Sequence, residues 1–176
     1  TRHNIPSRYE ALCGLCGGEF NKSLGVSKPY DFRSWVPDAI VVNLGTNDAS
    51  AFEQPPFTIP ETGEICKQHK NPDGTYNRED LLKFEQAVID FLKMLRKHNE
   101  SSHIVWAYGM LGYDLTLAIT EAMNTYRNET GDSNVAFLQL PDSTPDNLGA
   151  HAHPGPASHE RAAAILIEYL KKKWEV

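Results

Sequence analysis

Two short polar segments, each following an apolar run, contain the residue types best suited to chemistry. In the first, Val41-Val42-Asn43-Leu44 leads directly into Gly45-Thr46-Asn47-Asp48. A glycine lets the backbone turn sharply and leaves room for a bound molecule, and an asparagine amide offers two uncharged hydrogen-bond donors. Such donors can stabilise the negative oxygen that develops during acyl transfer. Asn and Asp after a strand also commonly cap a turn or a helix, so this segment alone leaves both interpretations open.

The second segment surrounds His153, which directly precedes Pro154. The residue before a proline is disfavoured from helical geometry, so His153 should lie in an extended loop before the last helix. An imidazole titrates near neutral pH and can act as a general base toward a hydroxyl nucleophile. A lone histidine in a loop is more often an ordinary surface residue, but this strand-to-helix connection favours a functional role.

Three short apolar runs predict buried strands that position these segments: residues 39–44, 104–108 and 135–140. Apolar residues at helical spacing between and after them predict helices over about 77–98 and 115–127, and a last helix beginning near Ser158. Strands separated by helices need crossover connections, which predicts an α/β protein with a mostly parallel sheet. Ligands of such proteins bind beyond the carboxyl ends of the strands, and both polar segments follow such ends.

The same patterns predict what is buried. The strand over 39–44 should be buried on both faces, Trp106 and Tyr108 should lie in the core, and the middle helix should bury Leu117, Ile119 and Met123. Residues 50–76 are rich in Pro, Gly, Asn and Asp, which predicts a long loop.

Composition sets the broad class. The chain has 176 residues, of which 40% are hydrophobic and 23% charged, and this predicts one globular domain over residues 1–176. The formal net charge of -6 provides no basic face, so nucleic acid is not an expected partner. No apolar run reaches the length of a membrane span, so no membrane partner is expected either. No cofactor motif is apparent.

These residues together resemble the SGNH/GDSL hydrolases, most closely carbohydrate esterase family two. The resemblance comprises the Gly45-to-Asp48 block, residues 104–110 as a middle strand, and His153-Pro154 before a terminal helix. It implies a three-layer, flavodoxin-like sandwich and removal of acetyl or other short acyl groups from a small-molecule or polysaccharide ester. It also implies secretion, as for most polysaccharide esterases of the family; the sequence itself leaves the compartment open.

The resemblance also implies residue roles. His153 would be the base that activates a serine, and the side chain of Asn47 would contribute to the oxyanion hole. Gly25, in Ser23-Leu24-Gly25-Val26, would complete the hole with its backbone N–H. Gly45 and Thr46 would lie against the substrate.

Two family features have no counterpart in this sequence. The family carries its nucleophile in a Gly-Asp-Ser block after a first strand, and neither is present here. We therefore expect that strand and the serine to lie upstream, and this chain alone to be inactive. The family's usual carboxylate precedes the histidine by two or three residues, where Ala150 and His151 stand, with Asp146 nearby. A serine–histidine dyad, its imidazole oriented by a backbone carbonyl, would satisfy the chemistry.

Three alternative interpretations concern other uses of the histidines, aromatic residues and cysteines. A carbohydrate-binding module without catalysis could use Trp106 and Tyr108 for sugar stacking. A zinc-dependent hydrolase could use His151, His153 and His159 as ligands, although His159 is more simply a helix-surface residue and no metal is expected. Cys13 and Cys16 could form a redox pair, but small inward-packing residues explain them more simply. Oligomeric state is open.

Overall fold

The computed structural model of the chain describes residues 36–58, 63, 65–112 and 114–175. The residues predicted at Gly25, Cys13 and Cys16 lie outside the described residues. The strands are β1 (Ala39–Val42), β2 (Phe57–Thr58), β3 (Ile65–Cys66), β4 (His103–Tyr108) and β5 (Val135–Gln139). The helices are α1 (Thr46–Ala51), α2 (Arg78–His98), α3 (Thr116–Thr130) and α4 (Pro156–Trp174). Two 3-10 turns, Pro145–Asn147 and Ala150–Ala152, lie between β5 and α4.

The main sheet is parallel and has the order β1-β4-β5. The parallel α/β architecture predicted from the alternation of strands and helices is therefore confirmed. The predicted long loop over 50–76 was too simple, because it contains the end of α1 and the short antiparallel pair of β2 and β3.

The first strand ends earlier than predicted, at Val42 rather than Leu44. Beyond Val42, side chains replace the backbone ladder: Asn43 Nδ2 donates to the Ala107 carbonyl at 2.7 Å, and Trp106 Nε1 donates to the Leu44 carbonyl at 3.0 Å. The strand is also not buried on both faces, because Val41 is 42% exposed while Val42 is buried. These side-chain bonds fix the point where the chain leaves the sheet toward Gly45.

The larger part of the core lies between the sheet and the helices α2 and α3. Alternate residues of β4, including Trp106 and Tyr108, face these helices and are buried, as predicted. Trp106 packs edge-on against Phe91 of α2, with ring centroids 6.0 Å apart. Burial of these rings supplies much of the apolar area that holds this layer together.

Local sequence explains both ends of α2. Asn77 caps its first turn, with Oδ1 accepting from the backbone N–H groups of Glu79 and Asp80. Arg96 lies in its last turn, where a positive charge is favourable, and donates to Asp132 Oδ2 at 2.8 Å. The helix spans Arg78–His98, as the sequence predicted.

The middle helix, α3, shows one wrong prediction. Ile119 and Met123 are fully buried, but Leu117 is 70% exposed. Two residues correspond to about 200° around a helix, so Leu117 lies on the side opposite Ile119.

The last helix, α4, covers the other face of the sheet. Ala162 packs with Ala107, Met110 and Leu140, and the Tyr169 hydroxyl lies 2.7 Å from Nε2 of His103. The helix begins at Pro156, two residues before the predicted start, because a proline fits a first helical turn. The three-layer arrangement is confirmed. In the described part of the chain, no helix is long and apolar enough to cross a bilayer.

Candidate functional site

Three loops gather where the parallel strands end. The chain leaves β1 at Asn43, β4 at Gly109 and β5 at Leu140, and parallel strands have their carboxyl ends at one edge of the sheet. Backbone bonds join the last two exits: Leu140 N–H donates to the Tyr108 carbonyl at 2.7 Å, and Ser143 N–H to the Met110 carbonyl at 2.9 Å. The segments with Asn47 and with His153 both leave from this edge.

Gly45 makes the turn from β1 into α1. Its φ of +116° is left-handed backbone that disfavours a side chain, and a Cβ there would lie 3.0 Å from Cε2 of Tyr108. The Gly45 carbonyl accepts from Ala49 N–H at 2.9 Å, which closes the first turn of α1. The positive φ and the close approach to the Tyr108 ring together favour glycine at this position.

Thr46 and Asn47 form the first turn of α1, immediately after this glycine. Asn47 is exposed and Thr46 is half-buried. The N-cap position is Gly45, which has no side chain to cap the helix, and Asp48 supplies an acidic group in the first turn. The Asn47 side chain lies at the carboxyl edge of the sheet, where the sequence predicted it.

The next residue, Asp48, is buried although it carries a carboxyl group. It is 4% exposed and lines a small apolar cavity with Leu44, Phe84, Val88 and Trp106 among its walls. Burial raises the pKa of Asp48 well above its usual range, opposed by a hydrogen bond from its own backbone N–H. Sequence reasoning missed this burial, because an Asp after Asn normally signals an exposed turn.

His153 is exposed, and its ring is oriented by the backbone. Its Nδ1 lies 3.1 Å from the carbonyl oxygen of His151. A carbonyl can only accept, so Nδ1 donates in this contact and Nε2 is the ring nitrogen left for another partner. Asp146, the carboxylate near His153 in sequence, bonds Thr144, and this bond lowers the pKa of Asp146.

The loop that holds this carbonyl has an unusual backbone. His151 and Ala152 both have positive φ, 54° and 57°. Each non-glycine residue in this conformation costs about 1–2 kcal/mol, so surrounding bonds must hold it. The His153 N–H donates to the Ala150 carbonyl at 3.1 Å, and the Gly149 N–H donates to the His153 carbonyl at 2.7 Å. The backbone of His153 is therefore held through both its N–H and its carbonyl.

A second set of contacts fixes this loop to the start of α4. Gly155 N–H donates to the Asn147 carbonyl at 2.8 Å, and the buried Ser158 hydroxyl donates to the same oxygen at 3.1 Å. A Cβ at Gly155 would lie 2.7 Å from that oxygen, so only glycine permits the approach.

The zinc hypothesis finds little support from these positions. Within the described ranges, no three His, Cys, Asp or Glu residues are grouped so that they could hold a metal ion. His159 is exposed on the first turn of α4, as predicted for a surface residue.

Comparison with known proteins gives three informative matches. No protein-family model matches the sequence. An acetyl xylan esterase, Est2A, from the rumen bacterium Butyrivibrio proteoclasticus is 56% identical with a TM-score of 0.86, over 99% of this chain and 46% of its own. The cellulase/esterase CelE of Acetivibrio thermocellus is 27% identical over 150 residues, which are 82% of this chain and 15% of that protein.

The third match is a family two carbohydrate esterase from Clostridium thermocellum. An active-site mutant of it is 26% identical with a TM-score of 0.64, over 85% of this chain and 39% of its own. A second structure of such an enzyme from that organism, at 24% identity, is in complex with cellohexaose. The chain thus spans less than half the length of each of these relatives. The resemblance predicted from the sequence is confirmed: the solved structures similar to this chain include an acetyl xylan esterase and a family two carbohydrate esterase.

Proposed function

We propose that this chain is part of a serine esterase that removes acetyl or other short acyl groups from carbohydrates. The observation that carries the proposal is the 3.1 Å contact between His153 Nδ1 and the His151 carbonyl. It supplies the orienting partner that a serine–histidine dyad needs in the absence of a carboxylate. It also leaves Nε2 as the acceptor for a hydroxyl proton.

The proposed roles of the other residues are those that the family resemblance implies. The nucleophilic serine, which a Gly-Asp-Ser block of the family type would supply, attacks the ester carbonyl carbon and passes its proton to Nε2 of His153. The carbonyl oxygen becomes negative and accepts a hydrogen bond from the Asn47 amide and another from the backbone N–H of Gly25. Gly45 and Thr46 lie beside the bound substrate.

The reaction has two halves, acylation of the serine and hydrolysis of the acyl-serine. The tetrahedral intermediate collapses, and the imidazolium gives its proton to the departing sugar oxygen. A water molecule next attacks the acyl-serine and loses a proton to Nε2; the second intermediate then collapses, the acid is released, and the imidazolium returns its proton to the departing serine oxygen. His153 therefore acts once as base and once as acid in each half.

The carbohydrate substrate is proposed from the relatives. One relative, Est2A, is an acetyl xylan esterase, and a family two carbohydrate esterase binds cellohexaose in its solved complex. The exposed carboxyl edge, with Asn47 and His153 both in contact with solvent, is compatible with a long polymeric substrate.

The test uses the full-length protein with 4-nitrophenyl acetate as substrate. We expect His153→Ala to lower kcat by about 10²- to 10⁴-fold, the range for loss of a general base. His159→Ala, an exposed histidine six residues away on α4, is the matched control and should retain normal turnover. Normal turnover in His153→Ala would contradict the assignment. Polysaccharide binding without any turnover by the unmodified protein would favour the carbohydrate-binding module instead.

A further inference from the structure

The loop between α1 and α2 contains a second imidazole, and this one is paired with a carboxylate. Nδ1 of His69 lies 2.9 Å from Oδ2 of Asp80, and the same oxygen accepts the backbone N–H of His69 at 2.8 Å. Asp80 lies in the first turn of α2 and is 5% exposed, whereas the His69 side chain is 61% exposed. A buried acid thus holds an exposed ring.

The bonds around this pair fix the tautomer and the orientation of the ring. Burial by itself would raise the pKa of Asp80, but hydrogen bonds from His69 and from Lys83 lower it below the usual value. Asp80 is therefore a carboxylate at neutral pH and accepts from Nδ1–H, which leaves Nε2 as the nitrogen of this exposed ring that is available to another partner. The His69 carbonyl also accepts from Asn77 N–H at 2.9 Å. His69 is thus held through its ring and through both polar groups of its backbone.

The loop that holds the pair is linked to the residues that follow α1, the helix whose first turn contains Asn47. Asp80 starts the helix that follows β1, so it lies on the carboxyl side of the sheet. The His69 loop is joined to the residues after α1 by the stacked rings of Phe52 and Tyr76, 4.1 Å apart. An ion pair between Lys70 and Glu53 adds a second link. The His69 loop and α1 are thus joined on the carboxyl side of the sheet, where the proposed site lies.

An outward acceptor at such a position suits a hydroxyl donor. Carbohydrates present many hydroxyl groups, and an imidazole nitrogen that is already held in place can accept from one with little loss of side-chain entropy. We propose that His69 is a substrate-binding residue whose Nε2 accepts a hydrogen bond from a hydroxyl of the sugar that carries the ester, with Asp80 as its positioning residue. This inference rests on the proposed function, because it assigns the sugar side of the same site.

The test compares two substrates in the full-length protein: an acetylated xylo-oligosaccharide, which offers sugar hydroxyls, and 4-nitrophenyl acetate, which offers none. We expect His69→Ala to raise KM for the oligosaccharide about 3- to 10-fold, the effect of one neutral hydrogen bond, with kcat nearly unchanged. Turnover of the aryl ester should stay normal, which also shows that the variant is folded. His69→Gln should restore part of the loss because its amide oxygen can accept, and His159→Ala should match the unmodified protein.

A separate binding measurement keeps this inference distinct from the esterase proposal. Calorimetric titration with the deacetylated xylo-oligosaccharide should show weaker binding to His69→Ala by the same factor, whether or not the protein hydrolyses esters. If the unmodified protein turns over neither ester but this difference in binding remains, the esterase proposal fails and the role of His69 stands. An unchanged KM and an unchanged affinity in His69→Ala would overturn the inference. Equal loss of activity on both substrates would also overturn it, since the residue would then act on the chemistry or on folding.

Discussion

Gly109, directly after β4, makes the closest backbone approach of any glycine in the described residues, and Gly109→Ala tests how rigid the carboxyl edge is. A Cβ at Gly109 would lie 2.2 Å from the carbonyl oxygen of Leu140 and 2.9 Å from its carbonyl carbon. Non-bonded carbon and oxygen atoms rarely approach within about 3.0 Å. The backbone segments that contain Gly109 and Leu140 would therefore have to move apart by most of an ångström. The glycine also has a φ of +143°, which disfavours any side chain.

Both effects add to the cost of the methyl group. Forcing an extra carbon into a packed region costs about 1–3 kcal/mol, and the backbone strain costs a similar amount. The obvious relaxation would break the 2.7 Å bond from Leu140 N–H to the Tyr108 carbonyl, which joins the ends of β4 and β5. We therefore expect Gly109→Ala to lower the free energy of unfolding by about 3–5 kcal/mol.

Gly131→Ala provides the matched control for urea unfolding. Gly131, at the end of α3, also has positive φ, +71°, but a Cβ there meets no described heavy atom within 4 Å. The control should lose only the conformational cost of about 1–2 kcal/mol, with both variants keeping the m-value of the unmodified protein. If the two variants were destabilised equally, the contact with the Leu140 carbonyl would not matter. The carboxyl edge of the sheet would then have to yield more easily than its geometry implies.

Two further predictions concern buried titratable groups. Burial lowers the pKa of His103, so the folded state resists its protonation. The free energy of unfolding should therefore fall as the pH drops below 6.5, the ordinary pKa of histidine. In urea unfolding at pH 5 to 8, His103→Gln should reduce this dependence on pH. Burial raises the pKa of Asp48, so the free energy of unfolding falls as the pH rises above 3.8, where the unfolded chain ionises. The stability of Asp48→Asn relative to the unmodified protein should therefore increase from pH 4 to 7. A constant difference would show that Asp48 is not buried as a neutral acid.

Regular elements were predictable where one local signal fixed them. The bounds of α2 followed from the Asn77 cap and a regular apolar stripe. The end of β1 did not follow, because side-chain bonds from Asn43 and Trp106, 64 and 62 residues from their partners, decide it. Leu117 was mispredicted because an apolar residue beside a buried stripe has the same local signature whichever way it faces.

For the candidate residues, the sequence predicted places in the fold better than contacts. Motif and strand order placed Asn47 and His153 after the ends of strands, and their catalytic roles stay predictions. The His69–Asp80 pair was not, since the two residues lie in a loop and in a helix turn, and neither segment shows a periodic pattern that brings them together. The burial of Asp48 likewise depends on Phe84 and Trp106, which come from elements distant in sequence.

The acceptor for the His153 ring is a main-chain oxygen, which every amino acid possesses. Replacement of the side chain at position 151 cannot delete that acceptor, whereas an aspartate in the same role is lost by a single codon change. The feature that must be conserved is the backbone conformation at position 151, where φ is 54°. Substitutions by asparagine and glycine, which adopt positive φ more easily, should therefore be tolerated better than valine or isoleucine. An alignment of relatives could thus look variable at this site even where its geometry is kept.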